Sequence, residues 1–210
     1  MKKRTNLLCL PALALGLLPL PAYGLAEIWG GTFFVNTRTE VTYDSNINVS
    51  DGGEDDVLFS FQPSFEWIRA QGRSTIRVTG STDLTTFNSN QNEDFTDFGL
   101  AATANFPVAR GSRLNGSVNL GYQRNTNANT LVNERLQTTT FSAGVGASYK
   151  LNRRMDLRTN LSFTDADRQN LPSETNYSVL TGIAFNEIIG QVGGTLDYRF
   201  RLRDSDGQRE

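Results

Sequence analysis

The chain is built from segments of about ten to twelve residues in which apolar and polar side chains alternate. In the clearest one, Asn115–Arg124, Val118, Leu120 and Tyr122 lie on one side and polar residues such as Asn119 on the other. A period of two puts alternate side chains on opposite faces of a β-strand. About ten residues exceeds the usual length of a soluble strand and matches a tilted strand that crosses a bilayer. The pattern predicts transmembrane β-strands.

Nine such segments follow one another, and short turns alternate with long polar loops between them. The predicted strands are Thr32–Tyr43, Val57–Ile68, Thr75–Leu84, Phe95–Phe106, Asn115–Arg124, Thr138–Tyr149, Met155–Thr164, Tyr177–Phe185 and Gln191–Leu202. The predicted long loops are Asp44–Asp56, Thr85–Asp94, Asn125–Leu136 and Asp165–Asn176. Outer-membrane barrels combine short periplasmic turns with longer external loops. We therefore predict an all-β, antiparallel, up-and-down transmembrane β-barrel of about nine or ten strands.

Aromatic residues gather at both ends of the predicted strands, which favours a membrane barrel because such rings prefer the headgroup zone. Those near the short turns are Phe33, Trp67, Phe106, Tyr149 and Phe185, and those near the long loops are Tyr43, Phe59, Phe98, Tyr122, Phe141, Phe163, Tyr177 and Phe200. The same rings in the core of a soluble β-sandwich are one alternative, although sandwich strands are seldom this long. A β-propeller is another, but a blade packs four short strands into the length that holds two strands here.

The first 24 residues read as a secretory signal peptide. Lys2, Lys3 and Arg4 precede an apolar run that Pro11 and Pro19 interrupt, and the small residues around Tyr23 suit cleavage after residue 24. The run is too short and too broken for a membrane-spanning helix. We expect residues 1–24 to be removed on export and residues 25–210 to form one outer-membrane β-barrel domain.

The composition of the expected mature chain excludes several classes of site. It has no histidine and no cysteine, which excludes disulfides and zinc sites built on those residues. Removal of Lys2, Lys3 and Arg4 leaves 17 basic against 22 acidic residues, a formal charge of −5. Since no basic stripe is present, nothing indicates nucleic-acid binding. No cofactor is expected.

Charged residues on the polar side of the predicted strands are the candidate functional residues. If the apolar side faces lipid, this side lines the lumen, where opposed charges set up a field and select solutes. The alternative is that they pair with one another and fill a narrow barrel as a polar core. The candidates are Arg38, Glu40, Glu66, Arg77, Asp83, Asp97, Arg113, Asp156, Arg158, Asp197, Arg199 and Arg201.

Two further kinds of site receive little support from the sequence. The acidic stretch Asp51–Asp56 offers oxygen atoms that suit Ca²⁺, but it lacks the ligand spacing of an EF-hand loop. A solvated external loop is the simpler interpretation. Hydrolases and acyltransferases of the outer membrane mostly use a histidine base, and the chain has none. We therefore expect no enzyme and no metal site.

The passage Thr39-Glu-Val-Thr-Tyr43-Asp-Ser-Asn46-Ile47 resembles the start of the Putative beta-barrel porin 2 family. Members typically begin with a strand that ends in an aromatic residue, followed by Asp or Asn, any residue, Asn and an apolar residue. The resemblance implies a barrel in the outer membrane of a Gram-negative bacterium, with no catalytic positions to carry over. Some members occur beside polysaccharide-export or exosortase systems.

The count of nine strands conflicts with the even number found in bacterial single-chain barrels. Either one more strand lies near Leu25–Trp29, or the chain is the N-terminal part of a longer barrel. We favour truncation, since the segment Asp204–Glu210 looks like the start of another external loop.

The function expected from the sequence is a passive, porin-like channel or a barrel associated with surface polysaccharide or export systems. The alternative from another class is a structural or adhesive platform whose external loops bind a partner. Expected partners are outer-membrane lipid, lipopolysaccharide and the barrel assembly machinery, while the oligomeric state stays open.

Overall fold

A single antiparallel sheet of ten strands in sequential order forms the fold. The structure, a computed structural model, describes residues 26–47, 54–109, 111–129, 134–189 and 192–205. The strands are β1 (Ala26–Ile28), β2 (Gly31–Asp44), β3 (Asp56–Gln71), β4 (Ser74–Phe87), β5 (Phe95–Pro107), β6 (Leu114–Asn129), β7 (Glu134–Lys150), β8 (Met155–Arg168), β9 (Leu171–Ile189) and β10 (Val192–Ser205). Within these ranges β1 pairs with β2 and β10 with β9, so the sheet is open at both edges. The predicted signal peptide lies outside the described residues.

The predicted all-β, up-and-down architecture is confirmed, and each strand pairs with its neighbours in the chain. The nine predicted segments fall within β2–β10, apart from Gln191, which lies outside the described residues. A tenth strand, β1, lies near Leu25–Trp29, the segment that the sequence analysis named as the place for one further strand. Strands β2–β10 are 13 to 19 residues long, and about ten suffice for a tilted strand to cross a bilayer.

Two of the four predicted long loops are wrong. Asn125–Asn129 continues β6 and pairs with the start of β7, and Asp165–Arg168 continues β8 towards β9. In this region both sides of each strand carry polar residues, as in the hydrogen bond from Thr175 to Asp165 (2.7 Å). Alternation identifies a strand only where its two faces meet different surroundings, so the pattern stops before the strands do. The predicted turn Asn186–Gly190 is likewise shorter, because β9 runs to Ile189.

The tight turns depend on backbone angles that few residues adopt. Trp29 and Gly30 connect β1 to β2 with φ values of 50° and 70°. Two consecutive positive φ values characterise a type I′ turn, whose twist matches that of the flanking strands. Asn170, with φ 61°, lies in the two-residue turn between β8 and β9 and belongs to the residue types that tolerate this region.

One face of the sheet, the apolar face, is continuous from β2 to β10. The register places Phe33 opposite Trp67, and Val145 opposite both Val118 and Leu161. Val145 and Leu161 are 57% and 51% exposed. The rings expected at the long-loop ends adjoin one another on this face, since the Phe98–Tyr122 and Phe163–Tyr177 centroids are 5.1 and 5.2 Å apart. An exposed apolar surface of this extent marks a contact surface for a membrane or for another protein.

The other face, the polar face, consists of the alternate residues and carries few buried apolar side chains. The buried hydrophobic residues of the described chain are Ile47, Phe87, Leu136, Ala166 and Ala184. Most of them lie at the strand ends that face the predicted long loops, which we call the outer end. A short 3₁₀ helix, η1 (Gln91–Glu93), lies in the β4–β5 connection there. No helix among the described residues is long and apolar enough to span a membrane.

Candidate functional site

The register places eleven of the twelve candidate charges on the polar face. Asp83 and Asp97 face each other across β4 and β5, for example, and Arg158 and Asp197 both face Gly182 of β9. The exception is Arg113, which precedes β6 and lies in the turn, where its carbonyl oxygen accepts a hydrogen bond from the Lys150 N–H (3.0 Å). The sheet therefore assembles charges that are distant in sequence on one surface.

Two arginines of the polar face are neutralised by their neighbours. The guanidinium of Arg38 lies 2.7 Å from the carboxylate of Glu40, and that of Arg77 lies 3.1 Å from Glu66. Their side chains are 67% and 54% exposed, and such surface pairs contribute about 0–1 kcal/mol each. Their main effect is to cancel charge on β2–β4.

Asp83 and Asp97, the acidic pair, are held by neutral donors. Asp83 accepts hydrogen bonds from Gln62 Nε2 (2.9 Å) and Thr85 Oγ1 (3.0 Å). Asp97 accepts from the backbone N–H of Thr126 (2.9 Å) and from its hydroxyl (2.8 Å). Neither carboxylate forms an ion pair within the described ranges. Since like charges directly opposite each other repel, the neutral donors stabilise an arrangement that retains negative charge.

Small residues line the centre of the polar face. We call this region the low floor; it comprises Ser117, Asn119, Gly121, Ser142, Gly144, Gly146 and Ser162. A Cβ on Gly144 would lie 2.5 Å from Asn119 Oδ1, and one on Gly121 would lie 2.6 Å from the Ser142 hydroxyl. Side chains of one strand thus occupy the space above the glycines of the next strand. The side chains of the low floor therefore extend only a short distance from the backbone.

A row of arginines lies on β10, beyond the low floor. Arg199, Arg201 and Arg203, the arginine row, alternate with the apolar residues Phe200 and Leu202. Two of them, Arg199 and Arg201, were candidates from the sequence; Arg203 was not. Alternate residues of one strand are about 7 Å apart on the same face, which sets the spacing of the three positive charges.

Glu174 of β9 lies at the outer end of this row and was missed in the sequence. Its carboxylate contacts Arg203 at 2.8 Å and Arg168 at 3.3 Å, and accepts a hydrogen bond from Asn176 Nδ2 at 2.7 Å. The hydrogen bond from Asn176 and the two positive charges outweigh desolvation and lower the pKa of Glu174. Glu174 lies within the predicted polar loop Asp165–Asn176, where no strand was expected. Its position on the same face as Asn176 was therefore not recognised from the sequence.

An arginine from a distant strand connects the outer loops. Arg135 of β7 lies 3.2 Å from Glu93 of η1, and its Nη2 donates to the carbonyl oxygen of Ile47 at 3.2 Å. The guanidinium also lies over the rings of Phe87 and Phe95, at 5.0 and 5.2 Å from their centroids. We call this group the outer clasp. Ile47 and Arg135 are 88 positions apart, so no local pattern in the sequence points to it.

Asp56, at the start of β3, holds the β4–β5 connection in place. Its carboxylate accepts hydrogen bonds from the backbone N–H groups of Val57 (2.7 Å), Ser89 (3.0 Å) and Asn90 (2.8 Å). Burial acts to raise the pKa of Asp56, but the hydrogen bonds outweigh it and the pKa is lowered. The sequence placed this residue in the acidic stretch Asp51–Asp56, for which a solvated external loop was the favoured interpretation and Ca²⁺ binding the weaker one. Residues 51–53 of that stretch lie outside the described ranges. The Asp56 carboxylate oxygens thus already accept hydrogen bonds from the protein's own backbone.

The outer end also contains a cleft of about 630 Å³ beside η1, between β4 and β7. Its two arginines are engaged: Arg124 donates to the Thr96 carbonyl oxygen at 2.7 and 3.2 Å, and Arg135 belongs to the outer clasp. Among the residues that the structure describes, no three His, Cys, Asp or Glu side chains group as metal ligands. The cleft is lined by Glu93, Asp94, Arg124 and Arg135 and therefore presents a charged surface.

The comparison with protein families decides the assignment. The family described as Putative beta-barrel porin 2 matches residues 21–153. The chain belongs to this family. The match spans β1–β7, more than half of the chain, and confirms the resemblance seen at Thr39–Ile47. The family name, a beta-barrel porin, implies an outer-membrane location and suggests a channel. Comparisons with curated proteins and with solved structures found no match. Strands β8–β10, which include the arginine row, lie outside the matched residues.

Proposed function

We propose that this chain forms an outer-membrane barrel through which small hydrophilic solutes diffuse passively. In a bilayer, unpaired strand edges are costly, so the edges of the sheet at β2 and β10 must be paired. Pairing them with the apolar face outward encloses the polar face and places its charges along the solute path. The membership in a family of barrel porins supports this function.

The low floor is the observation that carries the proposal. A polar core that fills a narrow barrel needs large side chains that meet across the interior. The central strands instead present glycine, serine and asparagine, and flat side chains such as Asn119 cover the neighbouring glycines. Of the candidate charges, Arg38–Glu40 and Arg77–Glu66 form ion pairs with one another among the described residues, and both pairs lie on β2–β4. These features favour a water-filled interior over a filled one.

Export and assembly follow from the same proposal. We expect cleavage of residues 1–24, insertion by the barrel assembly machinery, and contact of the apolar face with lipid and lipopolysaccharide. No covalent chemistry and no cofactor are required. The mature segment has no histidine, and the acidic pair is held by neutral donors rather than by a catalytic partner.

Planar-bilayer recording of the purified mature chain tests the channel. We expect stepwise conductance, together with swelling of chain-containing liposomes in small sugars but not in large oligosaccharides. In the test variant Gly144→Leu, the larger side chain should rise above the low floor and reduce both signals in chains that keep their strand content. A chain that keeps its strand content in vesicles, yet gives neither current nor swelling, contradicts the proposal.

A platform whose outer loops bind a surface partner is the second candidate, and the outer clasp favours it. Arg135 binds Ile47 in the β2–β3 connection, and Asp56 binds Asn90 in the β4–β5 connection. These contacts give a preformed surface at the outer end. Silence in bilayers combined with retention of intact cells or capsule by the immobilised chain supports the platform over the channel.

A further inference from the structure

On the half of the polar face towards the outer end, the acidic pair and the arginine row are segregated by sign. Asp156, Arg158 and Asp197 lie on the same face, further from that end. On β2 and β3, Arg38 and Glu66 each have an oppositely charged neighbour. The acidic pair on β4 and β5 keeps negative charge, and the arginine row on β10 keeps positive charge. The low floor between them contains no charged residue. A solute on this face therefore meets an acidic flank and a basic flank on opposite sides of a neutral centre.

The arginine row has positive charge available for a ligand. Arg199 and Arg201 form no ion pair with any residue that the structure describes. Arg203 shares Glu174 with Arg168, so two guanidinium groups contact one carboxylate. A net excess of positive charge therefore remains at this end of the sheet.

The neighbours of the row on β9 leave these charges uncompensated. Arg199 faces Leu180 and Arg201 faces Ser178. The Ser178 hydroxyl is already hydrogen bonded to Ser162 (2.6 Å). The adjacent acid on β10, Asp197, lies over Gly182, one step further from the outer end. No carboxylate thus lies directly beside Arg201 in the register.

We infer that the arginine row of β10 binds small anions that carry a carboxylate or phosphate group and gives the channel a preference for them. The inference rests on the proposed channel function for its transport consequence. A planar guanidinium donates paired hydrogen bonds to carboxylate and phosphate oxygens. Charges repeated at about 7 Å along the strand give a bound anion successive positions between the outer end and the interior. An anion about 7 Å from one such charge in water is enriched about threefold.

The test compares Arg199→Gln/Arg201→Gln with Arg38→Gln/Glu40→Gln in planar bilayers under a KCl gradient. The second pair is the matched control because Arg38 and Glu40 cancel each other, so neutralising both leaves the net charge unchanged. We expect the chloride-to-potassium permeability ratio to fall about threefold or more in the double variant, and not to fall in the control. Inorganic phosphate at constant ionic strength should also reduce the chloride current of the unmodified chain. A working channel whose ratio is the same in the double variant and the unmodified chain overturns the inference and leaves the channel intact.

A binding measurement keeps the inference testable if the chain conducts nothing. Inorganic phosphate is titrated calorimetrically into the detergent-solubilised full chain and its variants, whose strand content is checked by circular dichroism. We expect the heat of binding to be lost in Arg199→Gln/Arg201→Gln and retained in Arg38→Gln/Glu40→Gln. Arg199→Lys/Arg201→Lys serves if the glutamine variant does not fold; it should bind phosphate more weakly because the paired donors are lost. Absence of phosphate binding to the unmodified chain overturns the inference, whereas absence of current alone overturns only the channel.

Discussion

Replacement of Val145 by arginine tests the orientation of the sheet through its stability. Val145 of β7 lies midway between Phe141 and Tyr149 on the apolar face, four residues from each. Four residues along a strand tilted by about 40° span roughly 10 Å of the membrane normal. Val145 is therefore near the centre of an apolar band about 25 Å tall.

The expected cost follows from that depth. An arginine at the bilayer midplane on the lipid side of a barrel costs about 2–4 kcal/mol. This corresponds to a decrease of roughly 30-fold to nearly a thousandfold in the folding equilibrium constant. Asn160→Arg is the matched control, because Asn160 faces Gly146 from the polar face at a similar depth. Its expected cost is within about 0.5 kcal/mol.

Urea unfolding of the chain in phospholipid vesicles, followed by tryptophan fluorescence, measures both free energies. The reasoning is refuted if Val145→Arg lowers the free energy of unfolding no more than Asn160→Arg does. An exposed valine in water can be replaced by arginine at little cost, so equal stability would mean that the apolar face does not contact hydrocarbon.

Three further outcomes are expected. The pKa of Asp56 is lowered in the fold, so its ionised carboxylate stabilises the fold fully above the unfolded pKa near 3.8, and this stabilisation is lost as the pH falls through the folded pKa. Protection of the Ser89 amide from hydrogen exchange should decrease over that pH range. Asp56→Asn should remove this pH dependence. Arg135→Met should release the outer loops to limited proteolysis while circular dichroism reports an unchanged sheet, and a protease-resistant variant would contradict the outer clasp. Gly144→Leu should displace the Asn119 side chain and destabilise the chain by about 1–3 kcal/mol, and an unchanged urea midpoint would show that the floor adapts freely.

The sequence predicts the parts of this fold in which each strand separates two environments. Between the two sets of aromatic residues, most alternate side chains are apolar, so the strands and the face of residues such as Val118 or Arg158 follow from a period of two. Beyond Phe141 and Phe163 both faces are polar, and the continuation of β7 and β8 left no periodic signal. Strand length was therefore underestimated at the outer end.

The candidate site was predictable as a set of residues but not as an arrangement. Alternation places Arg38, Asp83 and Arg199 on one face, but only the three-dimensional contacts separate a cancelled charge from an available one. The outer clasp was invisible because Arg135 contacts residues far away in the chain. Long-range side-chain contacts of this kind depend on register and loop conformation, which a single sequence does not encode in any local pattern.

Single-cysteine labelling at Val145 and Asn160 tests the central claim most directly. The segment after residue 24 has no cysteine, so each introduced thiol carries the only label. A fluorophore at position 145 should be quenched by spin-labelled lipid and shielded from aqueous iodide, while one at position 160 should show the opposite behaviour. Iodide quenching of both labels to the same extent would contradict a sheet that turns one face to hydrocarbon and the other to a water-filled interior.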